Sequence, residues 1–183
     1  MNISEIKQTM HYKGIPVDII KQFVFPVTDD ETPEEKIAFV NQMDKLLTKE
    51  QILSVMEEQG CNKDEHPEIW LKLKNKSLEE RIKILNAMSM NEYPRSRIND
   101  DGTLSVFWHY EENGKYKCVC SIINKLHKPQ HVSLTFCGCC SGHVKYHSEN
   151  SLGVRLRLIE TVSSPISSNG EKYCEHLFEI VKG

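Results

Sequence analysis

The stretch SLTFCGCCSGHVKYHSENSLG, Ser133 to Gly153, constrains this chain more than any other. It lies between segments that alternate apolar and polar residues, and it carries almost no aliphatic side chains. Its pattern predicts a helix from about Cys139 to Leu152, closed by Gly153. At about 100° per residue, Cys140, His143, Val144, His147 and Ser151 share one face, with Lys145 and Glu149 opposite. A helix docked on a sheet gains most of its stability from apolar burial, roughly 25 cal/mol per Å². A contact face built of thiol and imidazole forfeits part of that gain, so those groups are candidates for chemistry rather than packing.

The flanking segments read as strands. Leu104 to Tyr110 alternates, Glu112-Asn113-Gly114 signals a hairpin turn, and Tyr116 to Ile123 alternates again. Arg155 to Val162 and Tyr173 to Val181 form a second hairpin around a loop rich in Ser, Pro, Asn and Gly. With a period of two, Cys118 and Cys120 face the same way as Tyr116 and Ile122, while Cys174 and His176 join Phe178 and Ile180. The same rule sets Glu160 among Leu156, Leu158 and Val162, where burial favours the neutral carboxyl and suits a general acid or base. The hairpin also brings Glu160 towards Cys174.

The first half reads as helices. Thr32-Pro33 with two glutamates opens one, and Thr48 with Gln51 and Ser77 with Glu80 form capping boxes for two more. Gly14 to Val27, with Pro16 and Pro26, reads as extended or irregular. Residues 1–92 carry 12 Lys and Arg against 17 Asp and Glu; residues 93–183 carry 11 against 9. We read this shift as a helical part (1–92) and a sheet part (93–183) of a single domain. The expected class is α+β, with a twisted, mainly antiparallel four-stranded sheet packed with helices.

Charge and cysteine usage narrow the function. A net charge of -3 supplies no positive field for a nucleic-acid backbone or an anionic membrane. The chain has no apolar run of membrane-spanning length and does not start like a signal peptide. Its seven cysteines are odd in number and unevenly spread, which suits reduced thiols in a cytoplasmic protein better than a disulfide framework. Arg95, Arg97, Arg155 and Arg157 read as a solvated sheet face in preference to an anion patch, and Trp108, Tyr110 and Tyr116 as core in preference to a base-stacking platform.

Three chemistries fit the Cys/His segment. Cys137, Cys139, Cys140, His143 and His147 have donor types suited to zinc, although Val144 stands where H-E-x-x-H requires Glu. Cys137 and Cys140 form a C-x-x-C near a helix start, where the helix dipole favours thiolate redox chemistry. Cys140 can also act as a nucleophile with His143 or His147 as base and Glu160 as orienting or proton-transferring group. Cys118, Cys120, Cys174 and His176 would line the pocket between helix and sheet. The ordinary alternative for each thiol is packing as a small buried hydrophobe.

From Cys137 to Val181 the chain resembles the C-terminal end of the 4-vinyl-reductase domain and of small bacterial proteins like L-2-amino-thiazoline-4-carboxylate hydrolase. The resemblance rests on CGCCSGH, SLG at Ser151 to Gly153, a strand with Glu160, a turn with Gly170, and Cys174, Phe178 and Ile180. It implies a fold like that of TRAPP transport subunits, often dimeric, with a small-molecule pocket near the Cys/His positions. Cys140, Gly153, Glu160, Gly170, Cys174 and Phe178 are the positions it carries over. The leading expectation is a small-molecule- or metal-binding protein. The alternatives are a cysteine-dependent hydrolase of an amide- or thiazoline-like compound and, behind it, a thiol redox protein.

Overall fold

The computed structural model describes residues 1–26, 30–60, 63, 66–89, 93–126 and 132–181. Asn2 caps α1 (Ile3–Tyr12) by accepting from the Ser4 and Glu5 N–H groups, and Ile3, Ile6 and Met10 form its buried stripe. The sequence reading passed over this helix. Pro16 leads into a single turn, α2 (Val17–Ile20), within the segment expected to be irregular, whose last residue, Val27, lies outside the described residues.

The three predicted starts are all present. Thr32, Thr48 and Ser77 accept from the N–H three residues on, and Glu35, Gln51 and Glu80 reach back to the capping residue's own N–H. They open α3 (Pro33–Leu46), α4 (Lys49–Met56) and, after the short unpredicted α5 (Pro67–Leu73), α6 (Leu78–Ala87). The boundary drawn at residue 92 falls outside the described residues.

The sheet is antiparallel and four-stranded, as expected, but its membership differs. It contains β1 (Arg95–Ile98) and β2 (Leu104–Trp108). The predicted turn at Asn113-Gly114 is real, with φ of 52° and 73°, but it joins only a two-residue ribbon, β3 (Glu111–Glu112) and β4 (Lys115–Tyr116). β2 is paired with β1 on one side and β6 on the other, so neither of its sides is open to the returning chain, whose Tyr116 N–H donates to Gly170 O instead. The predicted strand to Ile123 is therefore replaced by a loop and a 3₁₀ turn at Ile123–Lys125. Ile123, with Cys118, Cys120 and Ile122, packs on Ile37, Val40, Val132 and Phe136 instead. The second predicted hairpin is present as β5 (Arg155–Ser163) and β6 (Cys174–Val181), and the sheet order is β1-β2-β6-β5.

The predicted Cys/His helix is α7 (Leu134–Leu152), which starts five residues earlier than expected at the cap Ser133 and ends at Gly153, φ 69°. It is wrapped by β5 on one side and by α3, α4, α5 and α6 on others. The face expected to meet water is consequently covered too. Lys145 pairs with Glu57 at 3.2 Å with both side chains largely buried, and Glu149 Oε1 accepts from Leu156 N–H at 2.8 Å. Glu57 Oε2 also accepts from Leu158 N–H at 3.1 Å. These two carboxylates occupy N–H groups on the edge strand β5, which would otherwise invite pairing with another strand. No described helix is long and apolar enough to cross a membrane.

α7 fits this crowded position because it is rich in small residues. A Cβ built on Gly142 would land on the backbone carbonyl oxygen of Gln59, which follows α4, and that backbone has no side-chain freedom with which to give way. At Gly138 an added Cβ would meet only the Met56 side chain, at 2.7 Å. We expect Gly142→Ala to lower the unfolding free energy by about 3 kcal/mol and Gly138→Ala by about 1 kcal/mol, the two ends of the usual overpacking range. Urea titration of the two variants checks the order.

Candidate functional site

The site begins with an irregularity in β5. Leu158 pairs with Phe178, but Glu160 pairs with Leu177, so one extra residue is accommodated around Ile159. The bulge shifts the alternation. Leu156 and Leu158 are buried before it, and Thr161 and Ser163 are buried after it. Glu160 therefore does not lie among leucine and valine as the unbroken period of two required. Its side chain is 49% exposed and faces Lys49 at 3.5 Å, and Val162 is also exposed. Nor does it approach Cys174, which lies three residues along β6 from Leu177, the residue that Glu160 pairs with.

The bulge sets Thr161 directly across from His176, and Ser141 of α7 sits over the pair. The Ser141 hydroxyl lies 2.9 Å from Thr161 Oγ1 and 2.6 Å from His176 Nδ1. Ser141 and His176 are fully buried, and His176 Nε2 meets no hydrogen-bond partner among the described residues. Burial first, and the nearby His143 second, push the imidazole pKa down to about 3, so the ring is neutral near neutral pH. A neutral ring has one proton and one lone pair, and only one of its nitrogens is used here.

Thr161 is the end of this chain that reaches a cavity of about 350 Å³ between α3, α4, α7 and β5. Leu47, Ile52, Leu53, Met56, Leu134 and Leu158 supply its apolar wall. Polar groups are few and already engaged. Thr135 donates to Asp44 Oδ1 at 2.6 Å, Lys49 pairs with Glu160, and Thr161 is backed by Ser141. A mostly apolar hollow of this volume with a few fixed polar groups has the character of a small-molecule site. Gly138 contributes a bare stretch of helix to the wall, which leaves room that a side chain would fill.

The sequence-derived candidates divide among several places. Glu160 alone of them lines this cavity. His143 and His147 pack ring to ring, 4.6 Å between centroids, and His147 continues to His66, Tyr93 and Tyr146. Cys139 points into the cluster of α1, α3 and α4. The five residues proposed to share zinc thus diverge around the helix, and among the described residues no three His, Cys, Asp or Glu side chains form a group that could hold a metal ion.

The other thiols gather. Cys118 and Cys174 are in mutual hydrogen-bond contact, and so are Cys120 and Cys140, with Cys137 close to both Cys118 and Cys120. All six described cysteines are thiols. The Cys174 contact holds the Cys118 pKa below its usual range, outweighing burial. Burial pushes Cys137 up to about 12, and the Cys120 contact together with burial raises Cys140 well above its usual value. Cys137 is only the fourth residue of α7 and Cys140 the seventh, yet burial and neighbouring thiols hold both protonated, against the dipole-favoured thiolates expected there. A thiol held protonated is a poor nucleophile, and Glu160, expected to assist Cys140, faces Lys49 instead.

Sequence reasoning missed Thr161, Ser141, Lys49 and Leu134. A serine within a run of cysteines on a helix expected to be inward-facing was a usable signal for Ser141. Nothing in the strand pattern announced the bulge that turns Thr161 inward. No family model, curated protein or solved structure matches the chain.

The buried imidazole has a pH signature. Below about 6.5 the unfolded chain takes up a proton on His176, whereas the folded chain does not until about 3. The unfolded state then binds more protons, so this contribution is fully present above pH 6.5 and is lost as pH falls through that window. We expect unfolding free energy to fall with decreasing pH between about 6.5 and 5. His176→Asn, which keeps an atom near the Nδ1 position for Ser141, should reduce that slope by about one proton. Denaturant titrations at several pH values measure it.

Proposed function

We propose that this chain binds a small, mainly apolar molecule in the cavity between α3, α4, α7 and β5, with a hydrogen-bonding group of the ligand against Thr161. The observation that carries this reading is the combination of an apolar hollow of about 350 Å³ with one wall hydroxyl anchored by a buried Ser141–His176 pair. The anchoring matters because a hydroxyl already fixed in direction loses little freedom when it meets a ligand. Leu47, Ile52, Leu53 and Leu134 would cover the ligand's apolar body, while the Lys49–Glu160 pair would border its polar end. The resemblance to the 4-vinyl-reductase domain also implies a small-molecule pocket, but one near the Cys/His positions, none of which lines this cavity; Glu160 is the one carried-over position that does.

Native mass spectrometry of the freshly purified chain, followed by thermal-shift screening of small aliphatic and aromatic acids, alcohols and amides, tests the proposal. At least one compound should raise Tm. Thr161→Val should weaken its binding roughly fivefold, the value of about 1 kcal/mol for one hydrogen bond. Leu134→Trp, which fills the hollow, should abolish the shift while leaving the fold intact by circular dichroism. The reading fails if every compound that binds does so equally well to Leu134→Trp.

A further inference from the structure

The thiol cluster lies apart from the ligand cavity, and one of its members opens onto a second hollow. Cys118 lines a cleft of about 510 Å³ bounded by Lys115, Tyr116, Ile123 and the loop carrying Pro165 to Gly170. The loop bearing Cys118 is tied down on both sides. Asn124 donates to the Cys118 carbonyl at 3.4 Å, and Tyr116 N–H donates to Gly170 O at 2.9 Å. Behind Cys118, at the first residue of β6, is Cys174, 4% exposed and in hydrogen-bond contact with the Cys118 sulfur. A partly accessible thiol in front of a buried second thiol is the arrangement of an attacking and a resolving cysteine.

We propose that Cys118 and Cys174 form a thiol–disulfide couple that exchanges with low-molecular-weight disulfides entering this cleft. The Cys118 thiolate attacks one sulfur of the incoming R–S–S–R. A Cys118–S–S–R bond forms, and R–S⁻ leaves and takes up the proton that Cys118 released. Cys174 then gives up its proton and attacks the Cys118 sulfur, closing the Cys118–Cys174 bond and expelling the second R–S⁻, which is protonated in turn. Two protein thiols lose two electrons, and the disulfide gains them as two R–SH.

This assignment differs from the Cys137–Cys140 pair that spacing alone suggests. Cys137 is buried, and neither residue lines the cleft. The Cys174 contact favours the Cys118 thiolate, while burial and neighbouring thiols hold Cys137 and Cys140 protonated; Cys174 is held protonated too, first by its contact with Cys118, and that hold is released once Cys118 carries the mixed disulfide.

The full chain is incubated with oxidised glutathione, blocked with N-ethylmaleimide and mapped by peptide mass spectrometry. The main product should be the Cys118–Cys174 disulfide. In Cys174→Ala the reaction should stop at a Cys118–glutathione adduct, at least about tenfold more abundant than in the unmutated chain. Cys118→Ala should leave Cys174 unmodified over the same time. If the buried Cys174→Ala variant does not fold, the product map of the unmutated chain decides. A main product linking Cys137 to Cys140 or Cys120 to Cys140 overturns the proposal. So does a Cys118 that reacts no faster than it does in the urea-unfolded chain.

Discussion

The close approach of α7 to the backbone after α4 is the constraint on which the rest depends. Gly142 lets the helix axis come near enough for the Gln59 carbonyl to lie against it, and that proximity brings α3 and α4 over the same helix that packs on β5. α7 thereby contributes to all three apolar clusters, with Cys139 in one, Val144 and Leu152 in the second and Phe136 in the third. A helix surrounded on most sides would ordinarily be apolar all round. Here small thiols, hydroxyls and glycines occupy positions where large side chains would hold the neighbours apart.

Burying so many short polar groups demands partners for them, and the structure finds these on the facing strands and within α7 itself. Ser141 rests on the Thr161–His176 cross-strand pair, while Ser151 donates to the His147 carbonyl of its own helix at 2.7 Å. The β5 bulge is what aligns Thr161 for this. The same strand receives Glu149 and Glu57 on its edge N–H groups, so β5 is held by α7, by the turn after α4 and by β6 together. The cavity lined by α3, α4, α7 and β5 is the space left where these elements meet.

The thiols follow a different logic. Cys118 and Cys120 come from a loop, Cys137 and Cys140 from α7 and Cys174 from a strand end, yet their sulfurs share one region. Mutual contact separates their acidities, since a thiol that donates to a neighbouring sulfur stabilises the neighbour's anion while its own ionisation becomes harder. Cys118 is on the favoured side of its pair and Cys174 on the disfavoured side.

Local chemistry determined the parts of this protein that depend only on neighbours in sequence. The capping boxes at Thr32, Thr48 and Ser77, the Asn113-Gly114 turn, the Gly153 stop, the 155–181 hairpin and the α+β class were all legible, because each rests on contacts within a few residues or on an unbroken period. Tertiary structure decided what required distant partners. It recruited β1 into the sheet, pulled residues 116–123 out of it and covered the far side of α7. One extra residue in β5 turned Glu160 outward and Thr161 inward, since a period of two reverses every side chain beyond a bulge. The fold also brings Cys118 and Cys174 into contact, residues 56 positions apart that no spacing rule could have joined.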